Sequence, residues 1–355
     1  MPPPRPFRFA AQLSKASSAR EWREAARKAE DLGYSTLSMP DHFGDQLAPV
    51  PAMMAAADAT TTLRIATLVF DNDYKHPLVL AKEAATLDLL SEGRLELGLG
   101  AGWMRTDYEQ SGIAYDPPAT RVDRFEEAVS VIKGLMAPGP FSFSGTHYTI
   151  EGHDGLPKPV QQPHPPLIIG GGGRRVLSIA GREADIVSIN PNLRAGLGGA
   201  ETAPNAVPAM TTKKIGWVRE AAGDRFEQIE LNVLIGFCVI TDDPAPIAEG
   251  MAPVFGVAPA DVLHVPLCLI GSIDQMVEEL QWRREEWGLS YIGFEGPWAA
   301  ARKGGHQSEG SRGVRPSVTS GRVTEEHVEQ RVLNGGRSFL VERHVLSLAK
   351  IQNAF

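Results

Sequence analysis

Short apolar runs alternate along the chain with longer segments in which apolar residues return every three or four positions. The first run, FRFAAQLS at 7–14, is followed by Ser18 and Glu21, whose spacing predicts a capping box at the head of a helix. Trp22, Ala25, Ala26, Ala29 and Leu32 then recur at helical spacing, and Gly33 ends the helix. The same couple returns in YSTLSMPDH (34–42) with a helix near 49–60, in LRIATLVFD (63–71) with a helix over 77–90, and in RLELGLGAG (94–102) with RVDRFEEAVSVIKGLM (121–136). PLIIGGGG (166–173) precedes RRVLSIAGREA, and DIVSIN (185–190) precedes an irregular stretch and a helix near 206–222. LNVLIGFCVI (231–240) supplies a seventh strand and SYIGFEG (290–296) an eighth, which follows a helix capped by Ser272 and Gln275. Alternating strands and helices predict a parallel sheet, and eight such strands are best closed as a TIM-type (β/α)8 barrel, strand eight beside strand one.

Two stretches leave this rhythm. Residues 137–165 are rich in Gly and Pro around the alternating FSFSGTHYTI, which predicts a hairpin inserted into the barrel rather than a domain. Residues 297–355 form a polar, loop-rich tail with weak helical periodicity at 324–334 and 338–351. The predicted organisation is therefore one barrel over 7–296 and an atypical basic tail. Residues 301–355 carry a net charge of +4 against −12 for the rest of the chain.

Composition narrows the function. The chain has 355 residues, 43% hydrophobic and 22% charged, enough to bury a large core. A net charge of −8 gives no basic face for nucleic acid or a membrane surface, so a small-molecule substrate is the expected partner. No apolar run reaches the roughly 18 residues of a membrane span, and MPPPRPFRFA does not read as a signal peptide. With only Cys238 and Cys268, both in apolar runs, there is no disulfide framework; both are expected in the core, and a cytoplasmic location is expected.

In a barrel of this kind the active site lies at the C-terminal ends of the strands. Strand two ends in Asp41 and His42, an imidazole placed to act as general acid or base, although a histidine in a surface turn would read the same. Strand three ends in Asp71 and Asn72, which offer hydrogen bonds, and strand four in Gly100, Ala101 and Gly102, where a planar ligand could approach the backbone. Gly170, Gly171, Gly172 and Gly173 join a strand to a helix starting near Arg174, a setting that suits phosphate, with Arg174 or Arg175 adding charge. The run carries neither a P-loop nor a GxGxxG fingerprint. His147, His153 and His164 lack companions at metal-ligand spacing, so no metal is expected. His76 before Pro77 is expected to open a helix, and no G-x-S-x-G elbow occurs.

Four ordered motifs carry a resemblance: MPDHF after strand two, ATLVFDNDYKHP at strand three, GRLELGLGAGWMRTDYEQSGI at strand four, and PPLIIGGGGRRVLSIAGREADIVSIN around strands five and six. Over residues 7–296 the chain resembles the luciferase-like monooxygenase superfamily, and within it the oxidoreductases that use the deazaflavin coenzyme F420. That resemblance implies a cofactor ring at the barrel mouth, with Asp41 near it and His42 facing the reacting carbon. It implies a non-proline cis peptide between Leu68 and Val69 behind the ring. It places Gly100, Ala101, Gly102 and Thr106 along the ring and its side chain, puts Gly170 to Gly173 on the phosphate, and implies a homodimer. Hydride transfer between coenzyme F420 and a small organic substrate is the implied reaction. FMN-dependent monooxygenation on the same barrel is the alternative, and a barrel that only binds cofactor is a third reading. Two positions depart from the sugar-phosphate dehydrogenases of the superfamily: Trp103 stands where they carry a glutamate after the strand-four glycines, and Gln46 where they carry a tryptophan.

Overall fold

In the computed structural model, which describes residues 5–196 and 198–296, the eight barrel strands are only four to seven residues long. They are β1 (Arg8–Gln12), β2 (Thr36–Met39), β3 (Arg64–Thr67), β4 (Leu95–Gly100), β5 (Leu167–Gly171), β6 (Ile186–Ile189), β7 (Glu230–Ile235) and β8 (Leu289–Glu295). Each pairs in parallel with its neighbours in sequence, and β8 pairs with β1 from Arg8↔Tyr291 to Gln12↔Glu295, which closes the barrel. Side chains alternate across each strand. Leu37, Met39, Ile65, Leu97, Leu99, Ile169, Val187, Val233 and Ile292 face outward into the main core, shared with the helices. Ala10, Ala66, Ile168, Ile186 and Tyr291 fill the interior.

The covering helices are α1 (Ala19–Asp31), α2 (Pro49–Ala59), α3 (Pro77–Leu90), α4 (Pro118–Met136), α5 (Arg174–Glu183), α6 (Pro208–Ala222) and α7 (Ile273–Trp287). The box at α7 is complete: Gln275 N donates to Ser272 Oγ, and Ser272 N donates to Gln275 Oε1. At α1 only half of it forms, because the Glu21 carboxylate takes the amide of Ser17 instead of Ser18. His76 caps α3, accepting from Leu78 N as expected. The inserted hairpin is present, Phe141–Ser144 against Thr149–His153. The tail, with the helical segments expected at 324–334 and 338–351, lies outside the described residues.

The seventh strand requires a correction. The apolar run 231–240 is not one strand: β7 stops at Ile235, and the amides of Gly236 and Phe237 both turn to Leu267 O. Phe237–Ile240 then leaves the barrel and pairs in parallel with Cys268–Gly271. With the helix Ala245–Phe255 between them, these strands form a small β-α-β unit around Met251, Phe255, Val262 and Ile270. Both halves of the run are packed, so hydropathy alone does not mark the break. Cys238 in this unit is only partly buried, against the expectation of a core position, whereas Cys268 is fully buried. Burial pushes both thiols up to about 12, which leaves them unreactive near neutral pH.

The N-terminal end of the barrel is sealed by charge. Arg8 bridges Glu96 and Glu230 at 2.6 Å each, Arg64 meets Glu96 at 2.8 Å, and Tyr291 donates to the other Glu96 oxygen at 3.0 Å. The Arg8 guanidinium also lies 3.5 Å over the Tyr291 ring.

Candidate active site

The open end gathers most of the strand-end residues singled out in the sequence. Beyond β2 the chain turns at Pro40, whose carbonyl accepts from Gln46 Nε2 at 3.0 Å, and this turn carries Asp41 and His42 at the rim. His42 Nδ1 lies 2.7 Å from Asp107 Oδ2, and the Tyr74 hydroxyl donates to the same oxygen at 2.9 Å. Trp103 meets the His42 ring edge-on, with centroids 5.6 Å apart. Asp41 does not hold His42; its Oδ2 accepts from the amide of Asp71 at 3.3 Å. Burial raises the Asp41 carboxyl above its ordinary value.

Beyond β3 the chain carries the non-proline cis peptide Leu68–Val69 and then adds Phe70–Asp71 alongside Leu99–Gly100 of β4. Val69 fills the space beside two strand ends. A β-carbon on Gly100 would lie 2.6 Å from Val69 Cγ2, and one on Gly170 would lie 3.3 Å from Val69 Cγ1. Gly102 is constrained twice, by φ +72° and by the Tyr108 hydroxyl, which a β-carbon would approach to 1.8 Å. Tyr108 reaches into a carboxylate pair, with its oxygen 3.0 and 3.1 Å from the two Asp71 oxygens and 3.0 Å from Asp73 Oδ2. Arg124 neutralises Asp73 at 2.8 Å, whereas no cation among the described residues pairs with Asp71. Burial first, then the charges of Asp73 and Asp41, push the Asp71 carboxyl up to about 7.

The glycine run has two sides. Gly173 begins α5 with no side-chain cap, and the space a β-carbon there would occupy is open to 3.9 Å. A helix start of this kind suits an anion. Arg174 and Arg175, however, turn to the surface and pair with Glu220 and Asp123. A buried cation whose Nε and Nη1 have no acceptor is Arg121, in the first turn of α4. It is 3% exposed, stacks 4.1 Å from the Tyr115 ring centroid, and leaves Nε and Nη1 without a hydrogen-bond partner. Inside the barrel, the buried hydroxyls of Ser38 and Ser188 also lack partners. Glycines at closest approach, an uncapped helix start and orphaned buried donors together fit a flat ligand carrying a phosphate. Among the described residues no cluster of three or more metal-ligating side chains occurs.

Some expected residues are turned elsewhere. Thr106 is exposed on the short helix Arg105–Ser111, and it is the next two residues, Asp107 and Tyr108, that are buried. Asn72 is buried and donates to Tyr148 of the hairpin at 3.3 Å, which ties the insertion to the rim. Sequence reasoning missed Asp107, Tyr74, Tyr108, Arg121 and Glu295. Its one available signal was the acid–aromatic pair Asp107–Tyr108 just after the strand-four glycines. Glu295 ends β8 at the rim, exposed and near His42.

A sequence model of luciferase-like monooxygenases matches residues 5–286. The FMNH2-dependent dimethylsulfone monooxygenase of Pseudomonas putida is 28% identical over 191 residues, 51% of this chain and 52% of that one. The F420-dependent glucose-6-phosphate dehydrogenase of Amycolatopsis mediterranei is 30% identical over 174 residues, 47% of this chain and 52% of that one. The chain thus spans about half the length of these curated relatives. In fold it is similar to the coenzyme F420-dependent tetrahydromethanopterin reductase of Methanopyrus kandleri, with a TM-score of 0.66 at 18% identity over 81% of this chain and 93% of that one.

Proposed function

The chain belongs to the luciferase-like monooxygenase family, and on that premise we propose that it is an oxidoreductase that transfers a hydride between coenzyme F420 and a small organic substrate, with His42 moving the accompanying proton. The observation that carries this reading is the imidazole at the rim, bonded through Nδ1 to a buried carboxylate, on the same mouth as the glycine-bordered Val69 and the uncapped start of α5. Bound deazaflavin would supply the carbon that gives or takes the hydride.

The protein's share is binding, orientation and proton handling. Leu68 and Val69 would back the ring, and Asp41, Asp71, Gly100, Ala101 and Gly102 would border it or its side chain. Gly170, Gly171, Gly172 and Gly173 would hold the phosphate, with the unpaired Arg121 supplying charge in place of Arg174 and Arg175. The loop after Asn190 and the 137–165 insertion would shape the substrate pocket. Lys214 pins both ends of that loop, donating to Asn190 O at 2.7 Å and Asn205 O at 2.6 Å. A second copy of the chain would cover the outer face of α3, where Val79, Leu89 and Leu90 are 46%, 45% and 58% exposed. No described helix is long and apolar enough to cross a membrane.

FMN is the second reading, supported by the similarity to an FMNH2-dependent monooxygenase. Titration of the purified protein with deazaflavin and with FMN, followed by the spectrum of the bound chromophore, separates the two. Deazaflavin binding is expected, with His42→Ala keeping the affinity and losing turnover. Tight FMN binding without deazaflavin binding would overturn the first reading, and unchanged turnover in His42→Ala would remove His42 from its role.

A further inference from the structure

We infer that Asp107 is the positioning residue of His42: it fixes the neutral imidazole as the Nδ1–H tautomer and leaves Nε2 as the nitrogen that meets the substrate. The inference rests on the reading of His42 as the proton-moving group and goes beyond it. It names which nitrogen works and what holds it there.

Asp107 lies 65 residues from His42 on the short helix Arg105–Ser111, with its side chain 6% exposed. Its Oδ2 is the meeting point of two donors, His42 Nδ1 at 2.7 Å and the Tyr74 hydroxyl at 2.9 Å. An ionised carboxylate can only accept, so a nitrogen at that distance must carry a hydrogen; a bare ring lone pair would face a negative oxygen. Tyr74 cannot reverse the pattern by ionising. Burial, together with the nearby Asp71 and Asp107 carboxylates, holds its phenol well above the ordinary tyrosine range, so it remains a donor to Oδ2.

The ring is also walled. Trp103 meets it at 89° with centroids 5.6 Å apart, so the residue in the place of the glutamate serves as packing for the imidazole. A ring hydrogen-bonded at Nδ1 and bounded by an indole would lose its bond to Asp107 on flipping. Nε2 is therefore the free nitrogen: as a neutral base it accepts one proton from the substrate, and as imidazolium it returns one, with the positive charge shared with Asp107.

The test uses the full-length protein without added cofactor, labelled with 15N-histidine, and long-range 1H–15N correlation spectra, with His42 assigned from the signal lost in His42→Gln. At about pH 9, where imidazoles are neutral, wild type should show the His42 proton on Nδ1. Asp107→Ala should shift the population to the Nε2–H form that free imidazoles favour, whereas Tyr74→Phe should keep the Nδ1–H form because Asp107 remains. A wild-type spectrum dominated by Nε2–H would overturn the inference, as would an Asp107→Ala spectrum identical to wild type. The wild-type spectrum decides by itself if the alanine variant does not fold. Failure of deazaflavin to bind would overturn the functional reading and leave the tautomer result standing; the reverse pair of results would overturn only Asp107's role.

Discussion

Replacing Asp71 by Asn should change how the protein's stability depends on pH. The Tyr108 hydroxyl has one proton, yet it sits within 3.1 Å of three carboxylate oxygens, two of Asp71 and one of Asp73. A second proton on Asp71 resolves the arrangement: Asp71 donates to Tyr108, and Tyr108 donates to Asp73, whose charge Arg124 balances. A buried carboxyl pushed up to about 7 agrees with this count, and the gap from the ordinary 3.8 corresponds to about 4 kcal/mol of preference for the neutral form. The sign follows from proton binding. Between about pH 4 and 7 the native state keeps this proton and the unfolded state does not, so the contribution is full below the ordinary carboxyl value and is lost as pH rises through about 7. Asparagine is neutral throughout and has no such loss. The stability of Asp71→Asn relative to wild type should therefore rise by about 2–3 kcal/mol between about pH 5 and pH 8. Denaturant midpoints of both proteins at the two pH values measure it, and groups that titrate alike in both cancel in the difference. A relative stability that stays flat, or falls with pH, would refute the assignment of the proton to Asp71.

Three further outcomes are expected. Gly102→Ala should cost about 2–4 kcal/mol, read from denaturant midpoints, because it combines a φ of +72° with displacement of the buried Tyr108 hydroxyl. Lys214, pushed down to about 8 by burial, binds less proton than the unfolded chain between about 8 and 10.5, so wild type should gain about 2 kcal/mol from pH 8 to pH 10. Lys214→Met should lack that gain in thermal or denaturant melts and should loosen the loop after Asn190 in proteolysis. Leu90→Glu should convert a dimer to a monomer in light scattering with the barrel intact by circular dichroism; a monomeric wild type would remove the basis for a second copy on α3.

The barrel was readable because its signals are local. Most strands are short runs ended within a few residues by Gly, Pro or Asp, and the helices announce themselves by spacing, three of them also by a side-chain cap, at Ser18, His76 and Ser272. The split of strand seven was not readable, because packing against a second small core keeps 237–240 as apolar as 231–235. Asp41, His42 and the glycine run were legible for a topological reason: the end of a parallel strand is the mouth. Asp107 was not, because a hydrogen bond across 65 residues leaves no trace in periodicity and the helix that carries it is only seven residues long. For the same reason Arg174 and Arg175 looked available beside the glycines, whereas folding commits both to surface acids and leaves Arg121 unpaired.

The charged seal across the base of the barrel, built on Arg8, Glu96 and Tyr291, closes the end opposite the strand-end residues. With Ala10, Ala66, Ile168, Ile186 and Tyr291 filling the interior, the strand ends are reached from one side only. Two molecules meeting at that mouth would share one entrance, so whichever lies against Val69 would be covered by the one that follows it.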